Sequence, residues 1–370
     1  MNLSIFELNN YWLPLIWLFS GGLFLATMPR QTQLHQGQYV QRWTWATALL
    51  LILPLILWAG ARNRFGDTTA YRLKFLNAPT AFAEIPAYMD QWSSDRWFYL
   101  LIVVCKCLGL DDTMFFMLIA AFQLLCMAYT FRRYSNHFWI CIFLFVASTD
   151  YYSWMFNGMR QFISATIIFA AFGWMIQKRY ILYALSIIVA AQFHASAYIM
   201  LPLSFLMLGK AMNWKTILLI LVIAVSIPYI DRFIPFLDVF LEDTQYSGIT
   251  TDEIWSNDDG TNLVRVLIYS VPALLAFCGW RYVRNCQDPV MNLCINASLI
   301  TMAIYLVSAV TSGIYVGRIP IYTTFPGYIA LPWLIEQIFE KESAKLIKNL
   351  MIGFYCAFYY FQTGINWGLL

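Results

Sequence analysis

The feature that most limits what this chain can fold into is a succession of apolar runs, about a dozen of them, separated by short turns and basic residues. They lie near Tyr11–Met28, Thr44–Gly60, Thr113–Phe131, Phe138–Asp150, Gly158–Gln177, Tyr180–Ala191, Ser196–Leu208, Trp214–Tyr229, Leu263–Trp280, Pro289–Thr311, Ile319–Glu336 and Leu346–Phe361. Only 12% of the residues are charged, against about 25% in globular domains. The expected fold class is therefore all-α: a single polytopic membrane domain over 1–370, with about 12 transmembrane helices. Two larger extracytoplasmic loops are expected, 61–112 and 231–262. Trp97–Leu110 is too short in its strongly apolar part and is interrupted by Lys106, so it reads as a short surface helix within the first loop.

With the N-terminus outside, the inside loops hold Arg30, Arg42, Arg132, Arg133, Lys178, Arg179, Lys210, Lys215, Arg281, Arg284, Lys341, Lys345 and Lys348. Asp288, Glu336, Glu340 and Glu342 join them, so thirteen bases against four acids leave a net +9 inside. The remaining ten bases and sixteen acids give −6 outside, in keeping with the positive-inside rule. Tyr11–Met28 lacks a basic leader and a small-residue cleavage site, so a retained span is expected. The eight cysteines form no Cys-x-x-Cys pair and read as packing residues. The sequon at Asn296 falls inside a span and is set aside. No Gly-rich phosphate loop or Walker motif occurs, so ATP-driven chemistry is not expected. Nor is a cofactor, a metal or a nucleic-acid partner.

One run breaks the apolar pattern. Asn157, Arg160, Gln161 and Ser164 follow at i, i+3, i+4 and i+7, which on a continuous helix sets four polar groups on one face. A charge at the centre of a membrane helix costs roughly 2.5–3.5 kcal/mol on insertion scales, so this stripe must face protein, water or ligand. A helix-packing seam is the competing reading, but smaller neutral residues serve a seam without a charge to neutralise. Other polar groups gather in the loops. The first carries Arg62-Asn-Arg64-Phe-Gly-Asp67, then Tyr71, Arg72, Lys74, Glu84, Asp95 and Arg96, with Trp92, Trp97 and Tyr99. Rings beside carboxylates and guanidinium groups suit sugar recognition, although Trp and Tyr also populate any membrane interface. The second loop carries eight carboxylates against Arg232 and lacks the ligand spacing of a calcium loop. Arg265, Arg318 with Tyr322 one turn on, and His194 all map to span ends on the outer side. Several arginines there suit a diphosphate, and a histidine can exchange a proton near neutral pH.

At these residues the chain resembles the EpsG family of bacterial exopolysaccharide proteins, within the broader Wzy-like polysaccharide polymerases. The matching pieces are Phe156-Asn157-Gly-Met-Arg160-Gln161, Phe193-His194-Ala-Ser196-Ala197, Leu263-Val-Arg265 with Pro272, and Gly317-Arg318-Ile-Pro-Ile-Tyr322 leading to Leu331-Pro332. Arg64-Phe-Gly-Asp67 with Tyr71 resembles the family's first outer loop. Asp95 stands where relatives tend to carry Glu. The resemblance implies coupling of oligosaccharide repeat units carried on undecaprenyl diphosphate, at the outer face of a bacterial inner membrane. Donor and acceptor would both be lipid-linked, and a chain-length regulator protein and membrane lipid are further expected partners. Arg160, His194, Asp67 and Arg318 are the expected catalytic residues, with His194 or Asp67, the carboxylate of choice, accepting the hydroxyl proton. Asn157, Gln161, Arg64, Arg265, Tyr322, Tyr71 and Asp95 are the expected substrate-binding residues. The alternatives are a GT-C-type glycosyltransferase using polyprenyl-phosphate sugars, an O-antigen ligase and, outside enzymes, a lipid-linked oligosaccharide flippase.

Overall fold

Five helices begin where the sequence supplies a capping side chain at the edge of an apolar run. In the computed structural model, which describes residues 11–35, 38–62, 65–229 and 258–367, helix α1 covers Trp12–Ala26 and α2 covers Trp45–Gly60. Thr44 caps α2 by accepting a hydrogen bond from the Thr47 N–H. The segment 61–112 then forms α3 (Thr68–Leu76), α4 (Ile85–Met89) and α5 (Arg96–Cys107). Asp111 caps the long α6 (Asp112–Tyr134) through the Met114 N–H, at 2.7 Å. There follow α7 (Phe138–Ala147), α8 (Asp150–Trp154), α9 (Met159–Ala170), α10 (Phe172–Ile176) and α11 (Tyr180–Ala191). With the turn up to Tyr198 and the residues from Leu346 onward, these make the first of two units.

Each expected apolar run coincides with a helix, and the short segment before Leu110 is helical too, as α5. Among the described residues three helices are long and apolar enough to cross a membrane, Asp112–Tyr134, Met159–Ile176 and Pro289–Ser308. The protein is thus nearly all helical and built for a membrane. One correction concerns strands. Arg30–His35 (β1) and Gln38–Trp43 (β2) pair antiparallel, with Arg30 opposite Trp43 and His35 opposite Gln38. Arg42, expected as a loop charge, is buried and donates to the carbonyls of Arg132 and Ser135 at 2.8 and 3.1 Å. Arg132 answers through Nε to the Trp43 carbonyl at 2.6 Å and through Nη2 to Gln31 Oε1 at 3.0 Å. The hairpin is fastened to the α6–α7 turn by two arginines.

In the first unit α2 and α9 pack on α6, and α9 packs on α11. Gly60 permits the closest of these approaches, because a Cβ there would collide with Met117 of α6. Between α3, α5, α6 and α9, Phe75, Phe98, Phe115, Phe116, Ile102 and Met159 form one buried cluster. α5 contributes its inward face to that cluster and leaves Trp97, Leu100 and Leu108 exposed.

The second unit, Ile199–Lys345, contains α12 (Met200–Met207), α13 (Trp214–Ser226), α14 (Leu263–Cys278), α15 (Trp280–Arg284), α16 (Pro289–Ser308) and α17 (Ile321–Ile338). α16 is its centre, buried along most of its length. Asn292 and Asn296 of α16 accept from the N–H groups of Ala211 and Met212, each at 2.9 Å. The sequon asparagine therefore serves packing. The last helix, α18 (Lys341–Tyr360), runs from this unit into the first.

Candidate active site at the start of α9

The polar stripe read from the sequence is shorter in the structure. α9 starts at Met159, with Gly158 (φ −164°, ψ 39°) at its N-cap, so Arg160, Gln161 and Ser164 share a helix face while Asn157 precedes the helix. Glycine ends the turn that closes from Phe156 and Asn157 onto the Ser153 carbonyl, and the helical period cannot be carried back through it. Asn157 instead lies against Gly66, in the segment between α2 and α3. Gly66, in the left-handed region at φ +48°, passes so close that a Cβ would sit 2.8 Å from Asn157 Cβ. Two motif pieces separated by ninety residues thus meet at this contact.

Arg160 is the hub. Its Nη1 donates to Asp95 Oδ2 at 2.6 Å, and its charge acts on the nearby Tyr71 hydroxyl of α3. Asp95 is the more deeply placed partner, with a side chain 4% exposed against 28% for Arg160. The Arg160 side chain therefore stays partly exposed while its carboxylate partner is sealed in. Asp95 takes a left-handed backbone (φ 53°, ψ 33°) before α5, a conformation that Asp and Asn tolerate better than most residues. Its carboxylate makes no helix cap. It faces Arg160 and the Ala195 N–H, and Oδ1 makes no further hydrogen bond among the described residues. Burial raises the Asp95 carboxyl above its ordinary value, against the opposing pull of Arg160, the Ala195 N–H and Lys74. Burial likewise raises the Tyr71 hydroxyl, with Arg160 opposing it.

The next side chain on α9 ties in the histidine turn. Gln161 Nε2 donates to Ser196 Oγ at 3.3 Å, and Ser196 Oγ lies 2.7 Å from His194 Nδ1. Ser164 donates to the Ala190 carbonyl at 2.7 Å, and the Trp97 N–H donates to the Gln192 carbonyl at 3.2 Å. The segments around Asp95, Arg160 and His194 are therefore laced together within the first unit. Beside them Lys74 donates to the Tyr99 hydroxyl at 3.2 Å. Its ammonium sits 5.3 to 5.9 Å from the ring centres of Tyr99, Trp92 and Tyr71.

Of the residues expected from sequence, the structure brings together Tyr71, Asp95, Arg160, Gln161 and His194, with Asn157 at the adjoining Gly66 contact. Asp67 is exposed at the start of α3, where its carbonyl accepts the Tyr71 N–H. Arg64 lies outside the described residues, as does most of the acidic second loop. Arg265, Arg318 and Tyr322 belong to the second unit. Arg318 is exposed in the short 3-10 turn Val316–Arg318, Arg265 is half-buried in α14, and Tyr322 is buried in α17. Asp258 holds the stretch ahead of Arg318 by accepting from the Ser312 hydroxyl at 2.6 Å and the Ile314 N–H at 2.8 Å. Sequence reading did not anticipate Ser196 as the bridge between Gln161 and His194. The i, i+2 spacing of His194 and Ser196 at a turn was the available signal. No group of three or more metal-ligating side chains occurs among the described residues.

The EpsG family matches residues 45–366, nearly the whole chain. No curated protein matches it, and no solved structure does.

Proposed function

The chain belongs to the EpsG family, which makes it a Wzy-like polysaccharide polymerase in broad terms, and from that premise we propose that it joins oligosaccharide repeat units carried on undecaprenyl diphosphate. The reaction would take place at the outer face of a bacterial inner membrane. The observation that carries this reading is the partly exposed Arg160 side chain, paired with the buried Asp95, one residue along α9 from the Gln161–Ser196–His194 chain. A hydroxyl of the acceptor unit attacks the anomeric carbon of the donor chain's reducing sugar. The bond between that carbon and the diphosphate oxygen breaks, and undecaprenyl diphosphate leaves with the electron pair. Arg160 places its free donors on the departing phosphate, where a planar guanidinium gives two-pronged contacts that an ammonium cannot. Arg318 is the second candidate for that charge.

His194 takes the hydroxyl proton. In the tautomer with hydrogen on Nδ1, the ring donates to Ser196 Oγ, which also accepts from Gln161, and Nε2 is the basic nitrogen of the ring. Asp95 is the positioning group for Arg160. Asp67, exposed at the start of α3, is the alternative carboxylate base. Neither a nucleotide sugar nor ATP enters this scheme.

The purified protein supplied only with lipid-linked repeat units should lengthen them, with or without a chelator. A strict need for a nucleotide sugar would overturn the assignment. A deletion strain should make surface material capped with a single repeat unit. Loss of all such material would point to a flippase, and unattached long polymer to a ligase.

A further inference from the structure

Beside the Arg160 pair, the segment 61–112 folds into an open cleft of about 590 Å³, inside the ~300–1,000 Å³ range of ligand sites. Its walls come from α3, α4 and the short turn Phe82–Glu84, and its polar and aromatic groups are Lys74, Asn77, Glu84, Tyr88, Gln91 and Trp92. This set offers two aromatic rings, two primary amides, a carboxylate and an ammonium. Asn77, Glu84 and Gln91 are exposed, so their polar atoms are open to a ligand. Nothing in packing asks for such a set. The buried cluster below is apolar, and the rings stand at its edge, with Trp92 stacked on Tyr99.

We propose that this cleft is a sugar subsite, holding a pyranose ring of the lipid-linked glycan against Trp92 and Tyr88 while the amides and Glu84 bond its hydroxyls; the proposal rests on the polymerase reading above. A sugar presents apolar C–H faces and a rim of hydroxyls, and rings flanked by acceptors and donors match both. A lipid tail would want the apolar wall without the rim, and a bare phosphate would want more than one cation. The cleft is also joined to the reaction centre. Lys74 forms part of its wall, bonds Tyr99, lies over the Tyr71 ring and acts on Asp95. Tyr71 in turn lies close enough to Arg160 to feel its charge. A glycan seated in the cleft is therefore within reach of the group assigned to the leaving diphosphate. The ring could come from the donor chain or from the acceptor unit.

The test uses the full-length protein in nanodiscs and, as probe, the repeat-unit oligosaccharide obtained by enzymatic degradation of the host strain's own exopolysaccharide. Calorimetry should show saturable binding of this lipid-free sugar. Glu84→Gln and Gln91→Ala should each weaken it about tenfold, the loss of one or two hydrogen bonds. Arg133→Gln, exposed and outside the cleft, should bind it as the wild type does. Binding untouched by both cleft variants, or no binding at all, overturns the proposal. In the coupling assay, a raised KM for the acceptor unit in Glu84→Gln assigns the cleft to the acceptor, and a raised KM for the growing chain assigns it to the donor. Unchanged KM for both overturns it. Binding that depends on Glu84 and Gln91 in a protein that never polymerises would leave the subsite standing and remove the polymerase reading instead.

Discussion

Two turns of the first unit are held by arginines, and they hold them in opposite ways. At the hairpin, Arg42 and Arg132 are 3% and 7% exposed and spend their donors on backbone carbonyls and one glutamine amide. At the start of α9, Arg160 has a carboxylate as its partner and stays 28% exposed on its side chain. The first arrangement uses up the charge to fix local chain geometry. The second points a charge outward and supports it from behind. Carbonyls offer partial charges and a fixed lattice, which suits a structural clamp. A carboxylate partner costs desolvation, and evolution of a stable fold alone would favour removing it. An ion pair sealed on one side and open on the other is therefore better explained by what Arg160 has to meet.

Substitution can break this comparison directly. Arg160→Gln should lower coupling by a few hundredfold with normal protein abundance. Losing one contact to a developing charge costs about 3–4 kcal/mol of transition-state stabilisation, and each ~1.4 kcal/mol is a factor of ten. Polymer of wild-type length from a well-expressed Arg160→Gln strain would reduce this residue to packing glue, since a neutral amide still bonds across helices.

Asp95 sharpens the contrast through pH. Its carboxyl lies above the ordinary value of 3.8 because burial outweighs Arg160, the Ala195 N–H and Lys74. A raised value means that the folded state favours the protonated acid. The contribution to stability is present below the unfolded value and is lost as pH rises through the folded one. Ionised Asp95 is thus held at neutral pH at a cost in stability. Asp95→Asn should then melt no lower than wild type, or somewhat higher, yet couple about a hundredfold more slowly because Arg160 loses its alignment. The wild-type rate should also fall on acidification, and the part of that fall set by Asp95, at a pH above 3.8, should be missing in Asp95→Asn while the part set by the His194 base remains. A variant that is both less stable and fully active would invert the roles given to the pair.

Much of the scaffold was readable before any coordinates. Apolar runs bounded by Thr44, Asp111, Asn213, Asn262 and Asp288 became helices starting at those caps, because capping and burial act over a few residues. The hairpin was not readable. Arg30-Gln-Thr-Gln-Leu-His and Gln-Tyr-Val-Gln-Arg-Trp carry few apolar residues, and what fixes them is the arginine clasp to a turn about ninety residues away. Arg160 and His194 were visible as polar groups in apolar surroundings, whereas the partner of Arg160 was not. Asp95 is 65 residues distant, and only tertiary packing selects it over the exposed Asp67. Asn157 was placed on the helix face by periodicity alone, which passes over the break at Gly158.

The clamp side of the comparison predicts a different phenotype. Arg132→Gln strands the carbonyl of the buried Trp43, at a cost of about 1–3 kcal/mol for an unsatisfied group. Thermal melts in detergent should show a lower midpoint, and abundance should fall. Coupling per folded molecule should stay at the wild-type rate. A rate loss in the fraction that remains folded would mean that the hairpin end communicates with α9.

The smallest effect tests how the loop between α2 and α3 is seated on the site. Gly66 has φ +48° and passes against Asn157, so Gly66→Ala carries two separable penalties. The left-handed backbone costs a residue with a Cβ about 1–2 kcal/mol, wherever the neighbours stand. The added methyl must also push on Asn157 Cβ, 2.8 Å away, at the foot of the turn that leads into Arg160. Combining Gly66→Ala with Asn157→Gly removes the second penalty and leaves the first, and a double-mutant cycle reads the difference. If the loop is registered on α9 through this contact, Gly66→Ala should slow coupling several-fold beyond its loss of stability, and Asn157→Gly should restore part of that rate without restoring the melting point. Strictly additive effects would mean that Gly66 serves only its own turn, and that Arg160 is positioned by Asp95 without help from the loop's first segment.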